Sequence, residues 1–135
     1  MREPPGADII ILNREHQILL VLRDNKSSIP YPNTWALLGG YIEQNESPEV
    51  AIQRELLEEM ELEVEEINFF KSYYWSECDE HIFWTQLDLN LAQIELHEGQ
   101  RLAYFDREEI ASLEFASHYH QILCDFFASE IKIHE

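Results

Sequence analysis

The sequence predicts a mixed α/β domain, and three observations lead there. Apolar β-type runs occur before, between and after segments of helical periodicity, the order of a sheet packed with helices. The 135 residues suit one domain, spanning 1–135, with a single core. Hydrophobic residues form 45% of the chain, enough to fill that core and too many for a disordered protein.

The elements follow in order. Pro4 and Pro5 precede an apolar run at 8–12, and a second run lies at 18–22. Asn13, Arg14, Glu15 and His16 between them read as a turn, so these are two joined strands. Residues 24–34 carry Pro30 and Pro32 and read as a loop. Residues 35–38 form a short strand that ends at Gly39 and Gly40. The clearest helix spans 47–60. Ser47 is a good N-cap, and Pro48 falls at the first helical position, where its missing N–H costs nothing. Ile52, Leu56 and Met60 recur every four residues and give one buried stripe. Strands are expected at 64–75, 81–89 and 102–105. Asp106 opens a short helix with an acidic first turn, and Ser117 caps a last helix at 118–127.

Charge narrows the function. Nine Lys and Arg stand against 27 Asp and Glu, a net charge of −18. Such a surface repels phosphate backbones, which argues against a nucleic-acid partner. An anionic small molecule can still bind where divalent cations mask the acids. Most scattered acids are expected to be solubilising surface. Cys78 and Cys124 form neither a CxxC pair nor a zinc spacing, and two cysteines do not make a disulfide scaffold. No signal-peptide core follows the N-terminus, and the apolar run at 9–12 is too short to span a membrane. A cytoplasmic protein without a membrane partner is expected.

The chemistry concentrates in the 47–60 helix. Glu55, Glu58 and Glu59 stand at i, i+3 and i+4, which puts three carboxylates on one face, roughly opposite the Ile52/Leu56/Met60 stripe. Carboxylates are the oxygen ligands Mg²⁺ prefers, although an acidic face is often only solvated. Gly39 and Gly40 precede the helix and permit close approach of the backbone to a ligand.

From Gly40 the sequence resembles the Nudix box, G-x5-E-x7-R-E-U-x-E-E-x-G-U, where U is apolar. Gly40, Glu46, Arg54, Glu55, Leu56, Glu58, Glu59 and Leu62 all match, and Glu61 replaces the usual glycine. The lead-in from Pro32 through Trp35 to Gly40 is also similar, with Leu38 where proline is common. A match this long with fixed gaps is specific. The resemblance implies the Nudix fold, a mixed β-sheet sandwiched between helices. It implies Mg²⁺-dependent cleavage of a diphosphate linkage in a nucleoside diphosphate derivative, with Mn²⁺ as an alternative cofactor. By position, Glu58 and Glu59 correspond to metal ligands, with the carbonyl of Gly39 or Gly40 as a further candidate. Glu55 corresponds to a metal ligand or to the base that activates water, Arg54 to the residue that orients it, and Glu46 to their support. Bound cations would neutralise the diphosphate and acidify a water.

Outside the box, some MutT-type relatives carry one more acid in an E-G-Q run, which makes Glu98 a candidate metal ligand; the alternative is an ordinary loop glutamate. His81, His97, His118 and His120 are scattered and receive no role. Phe69, Phe70, Tyr73, Tyr74 and Trp75 could stack a base, but aromatic strands more often fill cores or dimer contacts, so a homodimer is allowed. Two other classes compete. A non-catalytic Nudix module usually lacks box carboxylates, which are all present here. The isomerase branch uses a cysteine upstream of the box, whereas both cysteines lie downstream. Residues 115–118 lack the asparagine with which 8-oxo-dGTP-sanitising relatives read a purine, so nucleoside triphosphates, ADP-ribose, dinucleoside polyphosphates and nucleotide sugars stay open. Glu61 is expected to adopt the left-handed conformation usual for glycine at a helix C-terminus.

Overall fold

The computed structural model describes residues 2–129. It contains β1 (Gly6–Leu12), β2 (Ile18–Leu22), β3 (Trp35–Ala36), β4 (Leu38–Tyr41), α1 (Pro48–Met60), β5 (Asn68–Tyr74), β6 (Asp79–Gln86), a 3₁₀ turn at Leu91–Gln93, β7 (Arg101–Phe105), α2 (Arg107–Ile110) and α3 (Tyr119–Ala128). The seven strands form one sheet. Its main path runs β3-β2-β1-β6-β5, with β4 also paired to β1 and β7 to β2. The sheet is mixed, because β1 and β6 run parallel from Gly6↔Glu80 to Leu12↔Gln86 while the remaining pairs are antiparallel.

All seven residues of β1 are buried. The strand therefore serves both faces of the sheet, with alternate side chains pointing opposite ways. Ala7, Ile9 and Ile11 pack with Ala51, Ile52, Leu56 and Met60 of α1. Ile10 and Leu12 pack with Ile122, Leu123 and Phe126 of α3. The mixed sheet thus lies between helices, as the resemblance to the Nudix family implies.

Several boundaries differ from expectation. The chain does not leave the sheet at the glycine pair: β3 ends at Ala36 on β2, and β4 then carries Gly39 and Gly40 along β1. The strand expected from residue 64 begins at Asn68. Val64 instead packs into the α1 core, and its carbonyl accepts from Gln53 Nε2 at 3.2 Å. Ser117 is not the cap of the last helix. Its φ of 46° is left-handed, and His118 stands at the N-cap position with φ −100° and ψ 14° and no side-chain capping bond. The short helix at 107–110 starts as expected, with the Asp106 amide donating to the Glu109 carboxylate at 2.8 Å. Cys78 and Cys124 are free thiols. Among the described residues, no helix is long and apolar enough to cross a membrane.

Candidate active site

The site is built where α1 crosses β4. Ser47 starts the helix by accepting from the Val50 amide at 3.2 Å. The buried stripe of α1 then packs onto the β1 face, and β4 passes alongside. Gly39 pairs with Asp8 and Gly40 with Ala7. Space beside both glycines is tight. A Cβ on Gly39, whose φ is +151°, would collide with the Ala7 carbonyl and lie 2.7 Å from the Asp8 Cα. A Cβ on Gly40 would collide with the Glu55 carboxylate. Glu55 is therefore laid against the β4 backbone, in room that only glycine leaves.

Arg54 organises the helix acids. Its Nε donates to Glu46 Oε2 at 2.6 Å and its Nη2 to Glu46 Oε1 at 3.0 Å, a bidentate pair. Nη2 also donates to the Tyr41 carbonyl at 3.1 Å, which ties the guanidinium to β4. Nη1 reaches Glu55 Oε1 at 3.1 Å and both Glu58 oxygens at 3.3 Å. The Arg54 pair, helped by the Glu43 amide, holds the Glu46 carboxyl below its ordinary range. Glu46 in turn raises the affinity of Arg54 for its proton.

Glu59 faces a different neighbour. The amide of His97 donates to the Glu59 carbonyl at 2.9 Å, and the Gln100 amide to the Leu22 carbonyl at 2.8 Å. The short loop between these anchors places Glu98 against the Glu59 side chain. Burial, then Glu98, then Glu55 and Glu58 push the Glu59 carboxyl up to about 7. Burial likewise raises Glu55, with Arg54 opposing and Glu58 and Glu98 adding to the rise. Crowded acids bind protons more tightly, because the charged forms repel. Carboxylate oxygens from α1 and the 97–100 loop, crowded beside a glycine backbone, form a donor set that fits a hard divalent cation.

The structure thus brings Glu55, Glu59, Glu98 and Gly40 together. Glu58 is more exposed and turns toward Arg54. Among the described residues, no three acids, histidines or cysteines form a ready-made metal cage. One expectation needs correction: Glu55 and Glu59 flank the buried stripe and do not oppose it. At 3.6 residues per turn, Glu55 lies only about 60° from Ile52, and Glu59 the same from Leu56. Glu61 does adopt the left-handed conformation, with φ 53° and ψ 35°, and its amide donates to the Leu57 carbonyl at 2.9 Å.

Other candidates fall elsewhere. His81 bonds Ser72, His118 stacks on Trp75, and His120 lies beside Phe115. His97, given no role from sequence, anchors the Glu98 loop and pairs with Glu61 at 3.1 Å. Phe70, Tyr73 and Trp75 pack against the α3 core, while Phe69 and Tyr74 are exposed. Asp8 was not anticipated. It is buried beside Gly39 and accepts from the Tyr119 hydroxyl at 3.0 Å. Burial and the neighbouring Glu80 raise its carboxyl well above the usual range. The available signal was an acid at the start of the apolar run at 8–12.

The chain is similar in sequence and fold to known proteins. The chain is 29% identical over 119 residues to Nudix hydrolase 19, chloroplastic, of Arabidopsis thaliana, covering 81% of this chain and 26% of that protein. It is 28% identical over 101 residues to the NAD-capped RNA hydrolase NudC of Haemophilus influenzae strain PittEE, covering 71% of this chain and 38% of NudC. It therefore spans well under half the length of these relatives. Its fold matches a MutT structure from work on Aliivibrio salmonicida and Vibrio cholerae, with TM-score 0.76 at 22% identity over 91% of this chain and 95% of that one. It also matches the NUDIX domain of Shewanella oneidensis NrtR complexed with ADP ribose, with TM-score 0.75 at 16% identity over 95% and 88% of the two chains. The NUDIX domain model matches residues 2–126, nearly the whole described chain, and the protein belongs to the NUDIX domain family.

Proposed function

We propose that this NUDIX domain is a Mg²⁺-dependent pyrophosphohydrolase that cleaves the diphosphate of a nucleoside diphosphate derivative. The observation that carries this reading is the meeting of Glu59 and Glu98, from separate elements, beside Glu55 and the Gly40 backbone. Glu59, Glu98 and Glu55 would hold the cation, with Glu58 joining by leaving Arg54, and with the Gly39 or Gly40 carbonyl as a backbone ligand. A bound Mg²⁺ supplies charge neutralisation of the diphosphate and acidifies a water. Mn²⁺ has similar ligand preferences.

The protein's own residues supply position. Glu46 fixes Arg54, and Arg54 fixes the Glu55 carboxylate against β4. Glu55 is thereby held either to bind metal or to accept the proton of the attacking water. Phosphoryl transfer depends mostly on positioning and on stabilising charge, and this framework provides both. The retained box carboxylates favour catalysis over a module that only binds.

The substrate class is set by the diphosphate. NrtR binds ADP ribose and NudC is named for NAD-capped RNA, so ADP-containing diphosphates head the candidates. The charge of −18 disfavours a polynucleotide body, which leaves small molecules such as ADP-ribose, NAD, nucleotide sugars and nucleoside triphosphates. The unlinked thiols suit a reducing compartment such as the cytoplasm. The test is hydrolysis of this panel with Mg²⁺ and with excess EDTA, read as released monophosphate or pyrophosphate. Cleavage of at least one compound, abolished by EDTA and restored by Mg²⁺, is expected. Full turnover in EDTA would refute the metal mechanism, and inertness toward the whole panel would favour a binding module.

A further inference from the structure

Glu98 stands against Glu59 and Glu55 and raises both carboxyls, so its effect depends on how its loop is held. The side chain of Gln100 is one of the bonds that hold that loop. Its Nε2 donates both hydrogens, to the Arg23 carbonyl and to Asn33 Oδ1, each at 2.8 Å. The acceptors belong to the 23–34 loop between β2 and β3, which is braced by its own hydrogen bonds. The Arg23 amide donates to the Thr34 carbonyl at 2.8 Å and the Asn33 amide to the Asp24 carbonyl at 3.1 Å, which closes the loop at its base. The Arg23 guanidinium holds the Pro30 carbonyl at 2.8 Å, and the Thr34 hydroxyl holds that of Tyr31 at 2.7 Å. Asp24 reaches back to the Gly99 amide at 3.3 Å. Gly99 itself has φ +93°, and a Cβ there would lie 2.7 Å from Val21 Cγ2, so the turn after Glu98 is tight as well.

We propose that Gln100 is a positioning residue that holds Glu98 at the cation-binding acids by clamping the 97–100 loop to the 23–34 loop. This rests on the metal reading above. Gln100 is neutral, lies outside the box and touches none of the three acids, so its effect passes through Glu98. The clamp also makes the 23–34 loop part of the frame that holds the metal-binding acids, although that loop supplies none of them.

The test uses Mn²⁺ alone as probe, with free ion read by electron paramagnetic resonance, beside kcat and KM on whichever compound the panel identifies. Gln100→Ala is expected to weaken Mn²⁺ binding and to lower kcat by about tenfold each, a typical loss when the support of a metal ligand is removed. KM should stay within about twofold, because a nucleotide contact is not what is lost. In a Glu98→Gln background, adding Gln100→Ala should change neither quantity, as for two residues acting through one group. Asn33→Gly keeps the left-handed backbone of Asn33, φ 58°, removes one acceptor, and should give a smaller loss of the same sign. It serves where Gln100→Ala folds poorly. Unchanged Mn²⁺ affinity in both variants, or a full Gln100→Ala loss persisting in the Glu98→Gln background, would overturn the proposal and leave the metal reading intact. A wild-type chain that binds no Mn²⁺ would instead overturn the metal reading, and this one with it.

Discussion

The backbone amide of His97 donates to the carbonyl of Glu59 at 2.9 Å. This one bond joins two parts of the site. It satisfies a carbonyl in the last turn of α1, where intrahelical donors run out, and it delivers the next residue, Glu98, to the Glu59 side chain. The same loop therefore finishes the helix and adds an acid from outside it.

Glu59→Gln should lower kcat by at least ~10²-fold with little loss of stability, since it removes ligand charge and keeps shape. Glu98→Ala should lower kcat less and leave Mg²⁺ binding weakened but present, because the α1 acids remain. Steady-state kinetics with a thermal melt for each variant checks both. Wild-type kcat in Glu59→Gln would refute its assigned role, and wild-type kinetics in Glu98→Ala would make that residue a bystander.

Metal-free protein should lose stability as pH rises toward 7. Glu59 ionises near its ordinary 4.5 when unfolded and near about 7 when folded. Between those values the unfolded state releases a proton that the folded state keeps, so rising pH favours unfolding. The penalty is absent below about 4.5 and complete above about 7. Melting in EDTA at pH 5.5 and 8 should show a larger fall for wild type than for Glu59→Gln, and adding Mg²⁺ at pH 8 should reverse the fall. Parallel falls in the two proteins would mean that Glu59 is not the strained acid.

The two glycines should separate folding from chemistry. Gly39→Ala meets the β1 backbone at Ala7 and Asp8 and takes a φ of +151°, so it should cost about 3 kcal/mol or more. Gly40→Ala meets only the end of the Glu55 side chain, which can swing away. It should fold, yet lose activity by displacing Glu55. Circular dichroism melts with activity assays distinguish them, and an active Gly40→Ala would show that the position of Glu55 is not critical.

These contrasts show what was legible beforehand. α1 could be read because its cap, first-turn proline and apolar spacing agree, and its acids because the Nudix spacing is fixed. Glu98 was visible only as an acid in a suggestive run. Gln100 and Asp24 were not visible, since their contacts arise from the pairing of β2 with β7, which brings two remote loops together. Asp8 became meaningful only through its register with Gly39. Ser117 was misread because residue type suggested a cap, whereas the bridge from Phe115 to Trp35 and the Ala116 amide on the Trp35 carbonyl fix the approach to α3.

Glu61→Gly should raise stability by roughly 0.5–1 kcal/mol and preserve activity. A residue with a Cβ pays about 1 kcal/mol in the left-handed conformation that Glu61 adopts, and glycine pays no such steric cost. Its negative charge also sits at the negative end of the α1 dipole. Against this, the substitution removes the 3.1 Å pairing with His97. That pair is exposed, with side chains 69% and 45% accessible, and exposed pairs contribute only a few tenths of a kcal/mol. The His97 amide bond to Glu59 is made by backbone and survives, so Glu98 keeps its place. Glu61→Ala separates the causes. It removes the charge but keeps the Cβ, and should stay within about 0.5 kcal/mol of wild type if steric strain dominates. Should Ala stabilise as much as Gly, and should the gain shrink in high salt, the dipole would be the larger cause. Chemical denaturation of the three proteins at low and high salt decides it, and a Glu61→Gly protein less stable than wild type would show that the His97 pairing outweighs the strain.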